Sequence, residues 1–177
     1  MGPISLFLLG LLQGLTEFLP VSSSGHLVLA ERLMDLHPSL AVNIGLHAGS
    51  LVAILYFYRR DLRDLVRALV PGQDRDPGKL REDRALIGHL VLATLATVPV
   101  ALWLQTPIEG LFAEPAAGRF LALTFFITAL LLVLTELYRP RNGADPEGAL
   151  SWRGALLIGL VQGVAVFPGI SRSGATI

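Results

Sequence analysis

A cluster of polar side chains, running from Gln13 to His26, interrupts an apolar N-terminal stretch. Gln13 and Glu17 lie four residues apart, so in a helix both project from one face, a single turn from each other. Three consecutive serines, a glycine and a histidine follow at 22–26. Carboxylates, hydroxyls and imidazoles are the groups that activate nucleophiles and transfer protons. The cluster therefore predicts a binding or catalytic site.

The cluster recurs 149 residues further on, between Gln162 and Ile177, without a gap. The identical pairs include Gly10/Gly159, Gln13/Gln162, Gly14/Gly163, Phe18/Phe167, Ser22/Ser171, Ser24/Ser173 and Gly25/Gly174. Where the first copy has Ser23, the second has Arg172. The repeat predicts one site made of two halves, of which one carries a hydroxyl and the other a permanent positive charge.

The two copies together carry the groups expected for phosphoryl chemistry. Their serines stand where helices start, so that hydroxyls cap free N–H groups and the helix N-terminus attracts anions. The arginine guanidinium is a planar, charged fork that suits phosphate. We expect Arg172 to hold a phosphate, a hydroxyl or water to attack it, and Glu17 or His26 to move the proton. Because a carboxylate repels phosphate unless a cation lies between them, we also expect Mg²⁺ or Ca²⁺ at Glu17.

Structural roles would explain some of the same residues. Glu17 and Arg172 could form an ion pair that only stabilises the fold. Small residues also recur at a four-residue spacing upstream of both loops, at Gly10/Gly14 and Gly159/Gly163. This spacing lets two helices approach closely. We expect it to pack the two copies together and so to bring Glu17 and Arg172 into one cavity.

The composition is that of an integral membrane protein. Of the 177 residues, 53% are hydrophobic and 16% are charged, and the mean hydropathy is +0.61. This apolar content exceeds what a soluble domain of such length can bury. The formal net charge is zero, and no basic face indicates a nucleic-acid partner. The absence of cysteine excludes disulfides and thiolate metal ligands.

The apolar segments predict an all-α membrane domain over 1–177. Full spans are predicted at 40–58, 85–108 and 119–137, each near the roughly 20 residues that a bilayer core requires. At each polar cluster a proline interrupts a helix too short to cross, which predicts a re-entrant hairpin over 2–36 and the start of another over 154–177. The segment 59–84, predicted as a loop, holds eight of the fourteen Lys and Arg residues and should be cytoplasmic.

Three spans separate the copies, and an odd number of crossings inverts the second copy relative to the first. This arrangement predicts an inverted-topology repeat, in which paired broken helices meet near the membrane midplane. With 59–84 on the cytoplasmic side, the hairpin at 2–36 enters from outside. We therefore expect the site to open to the outer face of the membrane.

The two loops resemble the motifs of the undecaprenyl pyrophosphate phosphatase family of the bacitracin-resistance type. The family's first motif, Glu or Gln, three residues and then Glu, matches Gln13 and Glu17, and its Pro-Val-Ser-Ser-Ser-Gly-His element matches 20–26. Its second motif, Pro-Gly-x-Ser-Arg-Ser-x-x-Thr, matches 168–176. The resemblance implies a bacterial inner-membrane enzyme that removes one phosphate from undecaprenyl pyrophosphate, which regenerates the lipid carrier for cell-wall synthesis and underlies bacitracin resistance.

By position, the resemblance implies a divalent cation and the catalytic residues Glu17, Ser23, His26 and Arg172. We expect the other polar motif residues to bind substrate; these are Gln13, Ser22, Ser24, Gly25, Ser171, Ser173 and Thr176. Spacing leaves open whether Ser23, His26 or a water attacks phosphorus. Gln13 stands where many members have Glu, which indicates a supporting role. Members of the family continue with further spans after the second motif, so we expect this chain to be a C-terminally truncated member.

Other functions fit part of the pattern. A repeat of broken helices also suits a transporter that flips a lipid phosphate without hydrolysing it, and this is the alternative prediction. A purely structural membrane protein is a third, weaker prediction. The expected partners are a polyprenyl pyrophosphate lipid and the membrane, and a homodimer is left open.

Overall fold

The computed structural model of the protein describes residues 1–70, 76–113, 117–138 and 150–176. All regular secondary structure in these residues is helical. The helices are α1 (Pro3–Glu17), α2 (Ser23–Leu33), α3 (Leu40–Phe57), α4 (Arg59–Ala68), α5 (Pro77–Ala113), α6 (Ala117–Tyr138), α7 (Trp152–Val164) and α8 (Arg172–Thr176). The predicted all-α fold is confirmed for this part of the chain.

Three of the helices are long and apolar enough to cross a membrane, namely α3, α5 over Pro77–Phe112, and α6. Many of their large apolar side chains are exposed, among them Leu95 of α5 and Phe126 of α6. Exposure of this kind suits a helix surrounded by lipid, because lipid tails are as apolar as the side chains themselves. The chain is therefore that of a multi-pass membrane protein. The helices α1 and α7 are also apolar but shorter.

The segment 59–84 is largely helical within the described residues, although we predicted a loop. It holds α4 and the first turns of α5, and residues 71–75 between them lie outside the described residues. Arg84 Nε donates to the Ala68 carbonyl at 2.9 Å and so joins the two helices. The difference has a simple cause, since arginine and leucine are both good helix formers and a basic sequence does not prevent a helix.

Proline separates the helices of the first hairpin. Pro3 lies at the first helical position of α1, where its missing N–H has no helical partner in any case. Pro20 follows the end of α1 and cannot continue the helical hydrogen bonds. The chain turns over 18–21 and enters α2 at Ser23. In the second copy, Pro168 stands in the corresponding connection between α7 and α8.

The glycine face of α7 packs closely on α5. A Cβ atom on Gly159 would lie 2.8 Å from the Ala93 Cα, and one on Gly163 would lie 2.6 Å from the Val100 Cβ. Thr97 Oγ1 also donates to the Gly159 carbonyl at 2.9 Å. Small residues are therefore needed here for the close approach of two helix backbones.

The expectation that these glycines pack the two copies together is wrong. On α1, an added Cβ at Gly14 would have no described atom within 4 Å, and one at Gly10 would meet only the Leu46 Cδ2 atom at 3.7 Å. The small-residue face of α7 lies on α5 instead, where Gly159 meets Ala93 and Ala96 and Gly163 meets Val100. The two copies meet through their loops.

Candidate active site

The loops of the two copies are in direct contact, and the contact is reciprocal. A Cβ on Gly25 would lie 2.7 Å from the backbone of Gly169, and a Cβ on Gly174 would lie 3.1 Å from the Pro20 carbonyl. Gly25 and Gly174 correspond under the 149-residue repeat, as do Pro20 and Gly169. Each loop therefore presents its glycine to the same position of the other loop.

The serine that begins each polar helix is used as a cap. Ser22 Oγ accepts from the Gly25 N–H at 3.3 Å, and Ser171 Oγ accepts from the Gly174 N–H at 3.1 Å. Each of these hydroxyls also contacts the hydroxyl two residues further on, at 3.4 Å in the first copy and 3.1 Å in the second. The two glycine N–H groups are thus already paired with the capping hydroxyls.

Ser22 additionally ties the copies together. Its Oγ accepts from the Gly169 N–H at 3.0 Å. The corresponding bond from residue 20 to Ser171 cannot form, because Pro20 has no N–H. Ser22 has a φ of 66°, a region that costs a serine about 1 to 3 kcal/mol and persists only where surrounding contacts hold it. These hydrogen bonds supply such contacts at the junction.

Two threonines of α6 hold the second loop from behind. Thr124 Oγ1 donates to the Pro168 carbonyl at 2.7 Å. Thr128 Oγ1 donates to the Gly169 carbonyl at 2.7 Å and accepts from the Ser171 N–H at 3.0 Å. These side chains satisfy backbone groups of a non-helical segment, which must find partners when it is away from water. Sequence analysis did not single them out, and the one available signal was a pair of hydroxyls four residues apart in an apolar span.

A cavity of about 430 Å³ lies between the two loops. Its lining comes from both copies and consists of Thr16, Glu17, Leu19, Ser22, Ser23, Ser24, Gln162, Ile170, Ser171, Arg172, Ser173 and Thr176. All the predicted site residues line it except Gln13, Gly25 and His26. Thr16, Leu19, Gln162 and Ile170 line it without having been predicted. The structure thus brings the two polar clusters together into one cavity.

Glu17 and Ser23 form a hydrogen-bonded pair inside this cavity. Ser23 Oγ donates to Glu17 Oε2 at 2.5 Å. Gln13 Nε2 donates to the same oxygen at 3.0 Å and to Ser50 Oγ of α3 at 3.4 Å. Gln13 itself is buried, with 1% of its surface exposed, and therefore orients the carboxylate from behind. A hydroxyl bonded to an oriented carboxylate is the arrangement that activates an oxygen nucleophile.

Arg172 enters the cavity from the second copy. It is the first residue of α8, it is exposed, and it lines the same cavity as Glu17 and Ser23. Among the described residues Arg172 and Glu17 are not an ion pair, since their charged atoms are not within 4.0 Å of each other. The structural ion pair considered as an alternative is therefore not formed. The guanidinium is available to an anion that enters the cavity.

His26 is placed differently from the other predicted catalytic residues. Its Nδ1 lies 2.8 Å from the Ser22 carbonyl, within its own helical turn. Its ring packs edge-on against Phe125, with the centroids 5.0 Å apart. His26 does not line the cavity, and its described contacts are with the Ser22 carbonyl and Phe125.

The metal ligands available in the cavity are few. The described residues contain no group of three or more His, Asp or Glu side chains that could hold a metal ion. Glu17 is the carboxylate in the cavity lining. One carboxylate fits Mg²⁺, which usually binds one or two carboxylates together with substrate phosphates and waters rather than a cage of protein ligands. A tightly bound ion without substrate does not fit this set.

The fold and the cavity define a class, that of multi-pass membrane proteins with a polar site built from two repeated loops. The family described as "Bacitracin resistance protein BacA" matches residues 6–177, and the chain belongs to this family. This result confirms the resemblance seen in the two motifs.

Proteins named undecaprenyl-diphosphatase are similar to the chain over almost its whole length. One from Desulfosudis oleivorans is 41% identical and is matched over 100% of this chain and 66% of its own length. One from Methanobrevibacter smithii is 35% identical, over 98% of this chain and 64% of its own length. Undecaprenyl-diphosphatase 1 from Bacillus licheniformis is 38% identical, over 98% and 63%. The chain thus spans slightly less than two thirds of the length of these relatives.

Proposed function

We propose that the protein hydrolyses undecaprenyl diphosphate to undecaprenyl phosphate and inorganic phosphate, and so recycles the lipid carrier of cell-wall synthesis. The observation that carries the proposal is the Ser23–Glu17 hydrogen bond in a cavity that Arg172 also lines. The names of the relatives support the same reaction. No contact among the described residues favours the transporter that flips a lipid phosphate.

Arg172 and the hydroxyls of both copies bind the diphosphate in this proposal. The guanidinium carries the permanent positive charge that a diphosphate requires and can donate two parallel hydrogen bonds to phosphate oxygens. Ser24, Ser173 and Thr176 add hydroxyl donors around the same cavity. The capping hydroxyls of Ser22 and Ser171 position the loops and contribute less to binding, because they already accept backbone hydrogen bonds.

Ser23 is the nucleophile in this proposal. Its Oγ attacks the terminal phosphorus while its proton passes to Glu17 Oε2, to which it is already bonded. The bond between the terminal phosphorus and the bridging oxygen breaks, and undecaprenyl phosphate leaves with that oxygen. Water then attacks the phosphoserine, the Ser23 oxygen regains the proton from Glu17, and inorganic phosphate is released. His26 takes no part in proton transfer here and positions the Ser22 loop.

Glu17 would hold a divalent cation, Mg²⁺ or Ca²⁺, together with the phosphates of the substrate. When bound, the cation would neutralise charge on the phosphate oxygens. Gln13 lies behind Glu17 and presents an amide N–H to it, so its role is to orient the carboxylate and not to supply a second one.

The two copies form an inverted-topology repeat with re-entrant hairpins in the bacterial inner membrane, and the site opens to the outer face. The three candidate spans between the copies support the inversion. The reciprocal contacts of Gly25 with Gly169 and of Gly174 with Pro20 support it further. Such an exchange of equivalent contacts is the signature of a twofold relation between two units.

Phosphate release in detergent solution tests the function, because flipping cannot be measured without compartments. We expect the purified protein to release inorganic phosphate from undecaprenyl diphosphate when Mg²⁺ is supplied. Ser23→Ala and Arg172→Gln should each lower the rate of phosphate release to about 1% of the wild-type rate or less. This size corresponds to the loss of a nucleophile or of a main charge-stabilising group.

The matched controls are Ser39→Ala and Arg153→Gln, which change exposed residues that do not line the cavity. Both should retain the wild-type rate. Acid-quenched samples should contain phosphoserine at Ser23 by mass spectrometry. Full phosphate release by Ser23→Ala would show that a water attacks instead, and binding of the lipid without any release by the wild-type protein would favour the carrier.

A further inference from the structure

A second cavity leads away from the candidate active site along α3. It has a volume of about 550 Å³ and is lined by Glu17, Asn43, Ile44, His47, Ala48, Leu51, Ile54 and Arg172. We call this cavity the α3 groove. Glu17 and Arg172 also line the cavity between the loops, so the two spaces share the two charged residues of the site.

The lining of the α3 groove changes from polar to apolar along the helix. Asn43 and His47 lie one turn apart in the N-terminal half of α3. The His47 Nδ1 atom is hydrogen-bonded to the Asn43 carbonyl at 2.9 Å. The apolar lining residues Ile44, Ala48, Leu51 and Ile54 are spaced by four, three and three residues, which places them on one helix face. From Ile44 to Ile54 this apolar face extends about 15 Å.

We propose that the α3 groove binds the apolar chain of the lipid diphosphate. The proposal rests on the proposed function, because only a lipid substrate requires such a groove. A lipid diphosphate joins a charged head to an apolar chain, so its site needs an apolar surface that is continuous with the charged one. The α3 groove meets this need, since Glu17 and Arg172 line it together with four apolar side chains of α3.

A second apolar cavity could also hold a lipid chain, but it is not lined by the charged residues of the site. A cavity of about 200 Å³ between α5, α6 and α7 is lined by side chains such as Phe120, Ile127 and Phe167. Neither Glu17 nor Arg172 lines it. A lipid whose diphosphate lies between the two loops therefore finds its nearest apolar continuation along α3.

Neighbouring residues of α3 provide a matched test. Leu51 lines the groove, whereas Val52 does not line it and is 66% exposed on another face of the helix. Leu51→Trp fills the groove, and Val52→Trp adds a similar bulk outside it. The measurement is kcat/KM for undecaprenyl diphosphate divided by kcat/KM for geranyl diphosphate, whose chain is too short to occupy the groove.

We expect Leu51→Trp to lower this ratio about tenfold or more and Val52→Trp to leave it within about twofold of wild type, since tenfold corresponds to about 1.4 kcal/mol. Equal effects of the two variants would overturn the groove. If the wild-type protein releases phosphate from neither substrate, the proposed function fails, and the groove is then decided by labelling.

Photolabelling gives this independent readout. The probe is a polyprenyl diphosphate that carries a diazirine near the far end of its chain, and labelled peptides are identified by mass spectrometry. We expect label in the peptide that spans Leu40–Phe57, and we expect unlabelled polyprenyl diphosphate, but not an equal excess of phosphatidylglycerol, to compete. Label mainly on α6 or α7, or equal competition by the phospholipid, would overturn the proposal.

Discussion

Replacing Thr128 by valine tests whether α6 holds the loop that carries Arg172. Thr128 is 4% exposed, and its hydroxyl makes two hydrogen bonds, to the Gly169 carbonyl and from the Ser171 N–H. Valine keeps the shape of the side chain and removes both bonds. The two backbone groups would then be buried without partners, because among the described contacts the Gly169 carbonyl and the Ser171 N–H form hydrogen bonds only with Thr128.

The size of the effect follows from these two bonds. Leaving a buried polar group without a partner costs about 1 to 3 kcal/mol, whereas hydrogen bonds between membrane helices average about 0.6 kcal/mol. Two bonds therefore give a range from about 1 to about 6 kcal/mol. We expect the free energy of unfolding to fall by about 2 kcal/mol, because the bonds involve backbone groups of a non-helical loop that cannot pair within a helix.

The assay is reversible unfolding in mixtures of sodium dodecyl sulfate and a mild detergent, followed by the fluorescence of the two tryptophans, Trp103 and Trp152. Trp152 contacts His89 of α5. Thr135→Val is the control on the same helix, since the Thr135 hydroxyl bonds only the Leu131 carbonyl of α6 among the described contacts. This variant should change stability by less than about 0.5 kcal/mol.

Phosphate release should follow the same order. Thr128→Val frees the segment before Arg172, so we expect the rate to fall at least tenfold at temperatures where the variant is still folded. Thr135→Val should retain the wild-type rate. Equal stability of the two variants would refute the view that α6 positions the second loop.

Three other changes test the remaining contacts. Gly25→Ala should lower the free energy of unfolding by about 1 to 3 kcal/mol because its Cβ would lie 2.7 Å from the Gly169 backbone, whereas Gly14→Ala, with open space around it, should be neutral or stabilising by up to about 1 kcal/mol; a thermal shift in detergent distinguishes them. Gln13→Ala removes the amide that orients Glu17 and should lower kcat about tenfold or more with little change in KM, since a hydrogen bond to a charged group contributes about 1.5 to 3 kcal/mol; an unchanged kcat contradicts the orienting role. Chelation by EDTA should stop phosphate release, and Mg²⁺ or Ca²⁺ should restore it; undiminished release in EDTA would exclude a metal requirement.

Much of the fold and of the family could be predicted from the sequence because membrane proteins reveal their spans in composition. Apolar runs of near 20 residues indicated the three long helices, and these were confirmed. The two motifs indicated the family, which was also confirmed. Both signals are local, since the hydrophobic length needed to cross a bilayer and the types of residue that form a polar loop are read from a single segment of chain.

The helix partners could not be predicted in the same way. The Gly10/Gly14 and Gly159/Gly163 spacings are identical in sequence, yet among the described residues only the second pair lies in close contact with the backbone of another helix. A small-residue face permits close approach without choosing the neighbour. The neighbour is seen only in the structure, where Gly159 faces Ala93 and Ala96 of α5 and Gly163 faces Val100 of the same helix.

Residue types and the 149-residue repeat are properties of the chain, so the hydroxyls, the carboxylate and the arginine of the two matched loops could be predicted from it. Which of these groups share a space depends on the fold. It placed Glu17, Ser23 and Arg172 along one cavity and turned His26 toward Phe125, although His26 is only three residues from Ser23. The physical reason is that the side-chain directions depend on the caps and on the reciprocal contact between the loops, which bring together residues far apart in the sequence.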